Sequence, residues 1–191
     1  METRFYSKRL PVGIVGLWDD YDAFWVRSLL ESIGATTHLY LPGTPGDFLQ
    51  IIGMESDVPP YLLICGHGKD DGIIFGEYIA EMDTSMLKNE SLPPEQVAQH
   101  IRLPGCVVLG LFCGSGEPAM AQAFMRGGLK AYIGMVAPDA DFLTVPMFIT
   151  QFFYHLLRHQ SSEKEAWEKA AAYDKPSRVF VFYDAEGAHR V

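Results

Sequence analysis

Six short apolar runs restrict the fold of this chain more than any other feature of its sequence. They span residues 12–17, 36–41, 61–65, 106–112, 131–136 and 178–183, and most are rich in β-branched or aromatic residues. Most are also continuous rather than alternating, which is typical of strands that are covered on both faces. The sequence therefore predicts a buried sheet of six strands.

Helical patterns separate these runs. Val26, Leu29, Leu30 and Ile33 form one apolar stripe that stops at Gly34. A stripe of this kind between two strands predicts a β-α-β unit. Because strands and helices alternate along the chain, we expect an α/β fold, a three-layer sandwich with a mostly parallel six-stranded sheet and helices on both faces.

Later helices carry recognisable start signals. The segment 117–126 has a proline in its first turn and is followed by two glycines, so we expect a helix that leaves the fourth strand directly. Thr144 is predicted to cap the next helix, and Ser162 with Glu165 has the pattern of a capping box for the one after it. Both of these helices then precede the last strand.

Two segments predict loops. Residues 42–46 consist of Pro, Gly and Thr, and residues 82–94 are mostly polar and end in two prolines. Neither segment is long enough to divide domains, and the chain contains no internal repeat or low-complexity tract. We therefore expect one domain over residues 1–191.

The net charge and the terminal segment limit the partners of the chain. Its formal net charge is -9, whereas nucleic acid and anionic lipid both require a basic footprint. Residues 1–12 lack the apolar run of a secretory signal, and no later segment reaches the length of a membrane span. We expect a soluble cytoplasmic protein that binds neither nucleic acid nor membrane.

Two of the predicted strands end in residues that can carry chemistry. The third run is followed by Gly66-His67-Gly68, and the fourth by Cys113-Gly114-Ser115-Gly116. Ligands of open α/β sheets bind outside the carboxyl ends of the strands, so an imidazole and a thiol at these positions indicate a site. Cys65 and Cys106 lie within or at the start of apolar runs and are predicted to be packed structural thiols.

The two strand ends provide the parts of a cysteine nucleophile. A helix amino terminus near Cys113 favours the thiolate. An imidazole at His67 can take the thiol proton and later return it to a leaving amine. Unbranched glycine backbone can approach a developing oxyanion closely. Acyl transfer through a thioester is the reaction that this combination predicts.

The pattern of a hydrophobic strand, His-Gly, a second hydrophobic strand, a small-residue turn and Cys resembles the caspase-like (clan CD) cysteine peptidases. Among them, the bacterial CHAT-domain proteins look closest, because residues 109–128 and the following Ala131-Tyr132-Ile133-Gly134 and Pro138-Asp139-Ala140-Asp141 are similar to theirs. The likeness spans roughly residues 12–183. It implies a six-stranded caspase-like fold, no cofactor, and hydrolysis of peptide bonds after a selected residue.

The resemblance also implies roles for individual residues. His67 is expected to be the base and Cys113 the nucleophile, at the carboxyl ends of two adjacent parallel strands, with the amides of Gly68 and Cys113 as oxyanion donors. Phe112 and Gly114 stand where many CHAT sequences have alanine and glutamate. A peptide or protein substrate is the expected partner, and a regulatory protein partner is left open. A second interpretation is a catalytically silent caspase-like module that acts as a binding or scaffold domain.

Acidic residues follow three of the strands whose loops are expected to surround the nucleophile. They are Asp19 and Asp20 after the first strand, Asp70 and Asp71 after the third, and Asp139 and Asp141 after the fifth. Carboxylates in a partly desolvated pocket can pair with a guanidinium or ammonium group. We therefore predict a basic residue before the cleaved bond, with Asp19, Asp20, Asp139 and Asp141 as substrate-binding residues. The alternative is that these aspartates cap turns and face water.

Other site classes receive less support. His155 and His159 have the spacing of two metal ligands on a helix, but no third ligand is suggested by the sequence, so no metal site is predicted. A class I glutamine amidotransferase has its histidine after the cysteine, opposite to the order of His67 and Cys113. A dinucleotide-binding domain requires a phosphate-cradling loop after the first strand, and that loop is acidic here.

Overall fold

A central sheet with helices on both sides forms the framework of the protein. The computed structural model describes residues 9–17, 21–69, 71–136 and 143–191. The strands are β1 (Leu10–Gly16), β2 (Ala35–Tyr40), β3 (Tyr61–Cys65), β4 (Gly68–Lys69), β5 (Gly72–Ile74), β6 (Ser91–Leu92), β7 (Val107–Leu111), β8 (Ala131–Met135), β9 (Phe180–Asp184) and β10 (Gly187–His189). The helices are α1 (Tyr21–Ile33), α2 (Pro45–Ile52), α3 (Pro94–His100), α4 (Pro118–Met125), α5 (Thr144–His159) and α6 (Glu163–Ala171), and a short 3₁₀ helix spans Pro176–Val179.

The six apolar runs all form strands of the central sheet. Its order is β2-β1-β3-β7-β8-β9-β10. The first five of these strands are mutually parallel, whereas β9 runs antiparallel to β8 and β10 antiparallel to β9. The mostly parallel sheet is confirmed, with β10 as a seventh strand at the edge that the sequence did not indicate.

A second, smaller sheet lies in the connection between β3 and β7. Its order is β4-β5-β6, and both pairings are antiparallel. β6 falls within the segment 82–94, which the sequence predicted as a loop throughout. The prediction was wrong there because a strand of two residues is too short to show a period-2 pattern.

Apolar side chains cover both faces of the central sheet. On one face, α1, α5 and α6 contribute Val26, Phe152, Trp167 and their neighbours to one core. On the other face, α2, α3 and α4 contribute Phe48, Val97 and Phe124 to a second core. Two cores separated by a sheet make three layers, which confirms the predicted three-layer α/β sandwich.

The helix boundaries test the predicted start and stop signals. α1 ends just before Gly34, whose φ of +113° suits glycine. Ser162 and Glu165 form the predicted capping box of α6. Thr144 does not cap α5, because it is the first helical residue and Leu143 precedes it as the N-cap. The Thr144 side chain is buried instead.

The segment 42–46 is a loop only in part. α2 begins at Pro45, inside this segment, and Thr44 and Asp47 form a capping box at its start. The proline that suggested a loop therefore occupies the first helical turn, where its missing N–H costs nothing.

Within the described residues, no helix has both the length and the apolar composition needed to cross a bilayer.

The capping box of α6 predicts a measurable contribution to stability. In Ser162→Ala, the Glu165 N–H loses the Ser162 Oγ acceptor, which lies at 3.3 Å. We expect the free energy of unfolding to fall by about 1 kcal/mol, measured by urea denaturation. Ser161→Ala is the matched control, because the Ser161 hydroxyl precedes the cap by one residue and accepts a 3.4 Å bond from exposed Lys169. Equal losses in both variants would contradict a capping role.

Candidate active site

His67 and Cys113 follow the ends of two adjacent strands of the central sheet. β3 and β7 are adjacent and parallel, and Cys65 pairs in register with Leu111. His67 and Cys113 each follow two residues after these partners. The structure thus brings the two strand ends together, as the sequence predicted, while the catalytic roles of the two residues remain predictions.

Gly68 lies directly against the backbone of Cys113. A Cβ atom at position 68 would overlap the carbonyl oxygen of Cys113 and would come within 2.8 Å of Phe112 Cδ2. Gly68 is not among the glycines with positive φ, so the requirement for glycine comes from space and not from backbone conformation. Position 68 therefore admits only glycine, because the Cys113 backbone occupies the space that a side chain would need.

The small sheet orients the Gly68 amide. Ile74 N–H donates to the His67 carbonyl at 2.9 Å, and Gly68 pairs in register with Ile73. Hydrogen-bonded and non-hydrogen-bonded pairs alternate along an antiparallel ladder. Because His67 and Ile74 form a hydrogen-bonded pair, the neighbouring pair of Gly68 and Ile73 is a non-hydrogen-bonded one, and the Gly68 N–H points away from β5.

The three thiols differ in exposure. Cys65 and Cys106 are each 1% exposed, whereas Cys113 is partly exposed. Burial raises the pKa of the Cys106 thiol to about 12. The prediction that Cys65 and Cys106 are packed thiols is confirmed, and Cys113 is the cysteine that a reagent can reach.

A tight turn connects Cys113 to α4. Gly114 has a φ of +74°, Ser115 N–H donates to the Phe112 carbonyl at 3.1 Å, and Glu117 N–H donates to the Gly114 carbonyl at 3.1 Å. Glu117 is the N-cap of α4, although its side chain makes no capping hydrogen bond. The helix begins at Pro118, so the predicted helix after the fourth strand is confirmed.

A cavity of about 590 Å³ lies beside Cys113, between the β4–β5 hairpin and the start of α4. Among the described residues, the charged side chains that line it are Lys69, Asp71 and Glu117. Lys69 Nζ donates to the Asn89 carbonyl at 2.8 Å, and Asn89 Nδ2 donates to Asp71 Oδ2 at 3.0 Å. Two carboxylates and one ammonium group give the cavity an acidic excess. Sequence reasoning named Asp71 among the acidic loop residues but not as a substrate-binding residue, and it missed Lys69 and Glu117, although each lies close in sequence to a motif residue.

The predicted substrate-binding residues Asp19, Asp20, Asp139 and Asp141 lie outside the described residues, as does Asp70. The strands that precede them end at Gly16 and Met135. Because β1 and β8 run parallel to β3 and β7, these ends lie on the same edge of the sheet as His67 and Cys113.

The two helical histidines considered as metal ligands face each other on α5. The rings of His155 and His159 have centroids 5.2 Å apart. In the part of the chain that the structure describes, no third histidine, cysteine or carboxylate completes a cluster with them. The pair therefore offers two ligands at most.

A different cluster consists of Asp184, Glu186 and His189. Each offers one atom that can ligate a metal ion, and these three atoms lie within 4.8 Å of one another. Lys164 already lies among them, with Nζ 3.2 Å from Glu186 Oε2, 3.8 Å from Asp184 Oδ2 and 3.4 Å from His189 Nε2. An ammonium group repels a cation from the position that the ion would take. The cluster connects α6 to the β9–β10 hairpin by ion pairing.

Comparisons with known proteins identify the fold. No protein-family model and no curated protein matches the sequence. The complex of the RgpB pro- and mature domains of Porphyromonas gingivalis matches with a TM-score of 0.54 and 14% identity over 88% of this chain and 44% of that chain. The structure of the Arg specific cysteine proteinase gingipain R matches with a TM-score of 0.54 and 14% identity over 87% of this chain and 43% of that chain. The Saccharomyces cerevisiae separase–securin complex matches with a TM-score of 0.55 and 12% identity over 98% of this chain and 13% of that chain.

The chain has a caspase-like fold. The structures that it resembles are caspase-like cysteine proteases, and the chain spans less than half of the gingipain chains. At 12–14% identity the likeness concerns the fold alone. The special closeness to CHAT-domain proteins expected from the sequence remains a prediction.

The exposure of the thiols predicts an order of alkylation. In the folded protein, iodoacetamide should modify Cys113 first, because Cys65 and Cys106 are buried and the raised pKa of the Cys106 thiol keeps it protonated near pH 8. Peptide mapping after brief alkylation measures the order, and urea-unfolded protein, in which all three cysteines should react, is the control. Modification of Cys65 or Cys106 before Cys113 would contradict the assignment.

Proposed function

We propose that this chain is a cysteine endopeptidase that hydrolyses peptide bonds with a His67–Cys113 dyad. The observation that carries the proposal is the pairing of β3 with β7, which puts the accessible thiol and the imidazole on neighbouring strand ends with Gly68 against the Cys113 backbone. The caspase-like fold supports it, because the similar solved structures are cysteine proteases.

In the proposed mechanism, His67 removes the proton from the Cys113 thiol, and the sulfur attacks the carbonyl carbon of the scissile bond. The resulting oxyanion accepts hydrogen bonds from the amides of Gly68 and Cys113. The orientation of the Gly68 N–H away from β5 suits this role. The C–N bond then breaks, the His67 imidazolium gives its proton to the leaving amine, and a thioester remains on Cys113.

Hydrolysis of the thioester completes the cycle. His67 takes a proton from a water molecule, whose oxygen attacks the thioester carbonyl, and the same pair of amides stabilises the second oxyanion. The C–S bond breaks, and the proton on His67 returns to the sulfur. The products are a carboxylic acid and the original thiol, so the cycle needs no cofactor.

We further propose that the substrate carries Arg or Lys immediately before the cleaved bond. The acidic cavity beside Cys113 and the net charge of -9 favour a cationic side chain. Gingipain R, a structure similar to this chain, is described as Arg specific. Asp71 and Glu117 in the cavity join Asp19, Asp20, Asp139 and Asp141 as the proposed carboxylates.

The second candidate function is a catalytically silent caspase-like module that binds another protein. Two of the similar structures are complexes, one of pro- and mature domains and one of separase with securin. Such partners are also compatible with an active peptidase under the control of a regulatory protein. Peptide turnover and probe labelling of Cys113 separate the two candidates, since a silent module gives neither.

The first functional prediction concerns the dyad. Cys113→Ala should abolish peptide cleavage, and His67→Ala should lower kcat by about 10²–10⁴-fold because it removes the general acid and base. Fluorogenic peptides measure both rates. His100→Gln is the control for histidine loss, since His100 lies at the exposed end of α3, where its ring contacts the Gln96 carbonyl. Wild-type rates in Cys113→Ala or His67→Ala would show that the dyad is misassigned.

The second functional prediction concerns specificity. Among peptides with Arg, Lys, Asp, Asn or Leu before the scissile bond, we expect Arg and Lys to be cleaved fastest. Asp71→Asn, Glu117→Gln, Asp139→Ala and Asp141→Ala are the variants to compare. Loss of the carboxylate that contacts the substrate should lower kcat/KM for the Arg peptide by about tenfold or more, because a charge-assisted pair is lost.

The Leu peptide is the internal control for these variants, since its cleavage should not depend on a carboxylate. Labelling of Cys113 by an iodoacetamide probe should also stay intact in each of them. A wild-type preference for Asp before the scissile bond would overturn the basic specificity and leave the dyad in place.

A further inference from the structure

Three hydroxyl groups donate to backbone carbonyls in and just before the turn that follows Cys113. Ser115 Oγ donates to the Gly110 carbonyl at 2.8 Å. Tyr132 OH donates to the Ser115 carbonyl at 2.9 Å, and Tyr183 OH donates to the Gly116 carbonyl at 2.6 Å. Ser115 Oγ also accepts from Met135 N–H at 2.9 Å, so the turn is bonded to both β7 and β8.

All three hydroxyl-bearing residues are buried. Ser115 and Tyr132 are fully buried, and Tyr183 is 9% exposed. Buried polar groups cost free energy unless they are hydrogen-bonded, so the three hydroxyls and their carbonyl partners depend on one another. Burial raises the pKa of both tyrosines, which keeps them protonated as donors.

Glycines in the strands make the space for this arrangement. A Cβ atom at Gly110 of β7 would overlap the Tyr132 hydroxyl and approach Ser115 Cβ within 2.8 Å. A Cβ atom at Gly134 of β8 would lie 2.6 Å from Gly116 N. The turn therefore sits directly on the backbones of the two strands.

The turn needs support from outside because its own backbone is permissive. Two of its four residues, Gly114 and Gly116, are glycines, and glycine populates more backbone conformations than any other residue. Tyr183 comes from β9, which lies beyond β8 in the sheet. A phenylalanine at position 132 or 183 would pack the same ring, and Tyr132 already stacks on Phe124 at 4.8 Å. Apolar packing alone therefore does not explain the hydroxyls.

We propose that Ser115, Tyr132 and Tyr183 are positioning residues that hold the turn at 113–116 so that the Cys113 thiol and amide face the substrate carbonyl. The inference rests on the proposed cysteine peptidase function. It assigns to β8 and β9 a part in catalysis, exerted through the turn and without contact to the substrate.

The test separates alignment of the nucleophile from its mere accessibility. An acyloxymethyl ketone with Arg next to the reactive group requires a thiolate aligned with its carbonyl, whereas iodoacetamide requires only an accessible thiol. In Tyr132→Phe and Tyr183→Phe, we expect ketone labelling of Cys113 to slow by about tenfold or more, since displacement of a reacting group by about 1 Å can cost about 10²-fold. Iodoacetamide labelling should stay within about twofold of wild type, and kcat should fall while KM changes little.

Tyr61→Phe is the matched control. Tyr61 is also a buried tyrosine, and its hydroxyl donates to Glu163 Oε1 at 3.2 Å, at the opposite end of β3 from His67. This variant should lose a hydrogen bond without any change in the ratio of ketone to iodoacetamide labelling. If Tyr132→Phe does not fold, Tyr183→Phe decides the question alone.

Two results would overturn the proposal. One is an unchanged ratio of ketone to iodoacetamide labelling in Tyr183→Phe, when the wild-type protein does react with the ketone. This result would leave the proposed peptidase function intact. The other is an equal fall of the ratio in Tyr61→Phe, which would indicate general destabilisation. If the wild-type protein is alkylated by iodoacetamide but neither reacts with the ketone nor cleaves peptides, the proposed function itself fails and the inference fails with it.

Discussion

The site depends on the contact between the backbones of Gly68 and Cys113. Parallel pairing of β3 with β7 brings the two strand ends level, and the small sheet that begins at Gly68 turns this backbone against the cysteine. Because a Cβ atom at position 68 would overlap the Cys113 carbonyl oxygen, only glycine permits the approach. The Gly68 backbone is thereby held against the residue that carries the accessible thiol, as the proposed acyl transfer requires.

The framework of this site is readable in the sequence, and its short elements are not. Continuous apolar runs identified six strands because strands buried on both faces leave little room for polar residues. β10 and the small sheet were missed, since strands of two or three residues carry no usable period. α2 was missed because Pro45 was weighed as a loop signal, although Thr44 and Asp47 already spelled a capping box.

The site itself is predictable to the extent that it is local in sequence. His67 and Cys113 each follow an apolar run that is readable in the sequence, and the parallel pairing of these two runs in the structure brings their ends level. Ser115, Tyr132 and Tyr183 could not be found in this way, because their partners are set by sheet order and by the space that strand glycines leave. The signal that was present is the occurrence of glycine in the middle of two otherwise bulky strands, at positions 110 and 134.

The most direct measurement is a crystal structure of the protein after reaction with a peptidyl ketone that carries Arg next to the reactive group. We expect a covalent bond at Cys113 Sγ, the ketone oxygen within hydrogen-bonding distance of the Gly68 N–H, and the His67 imidazole beside the sulfur. A bond to another residue would contradict it. So would a bond at Cys113 in which the ketone oxygen points away from Gly68 and His67 lies remote from the sulfur.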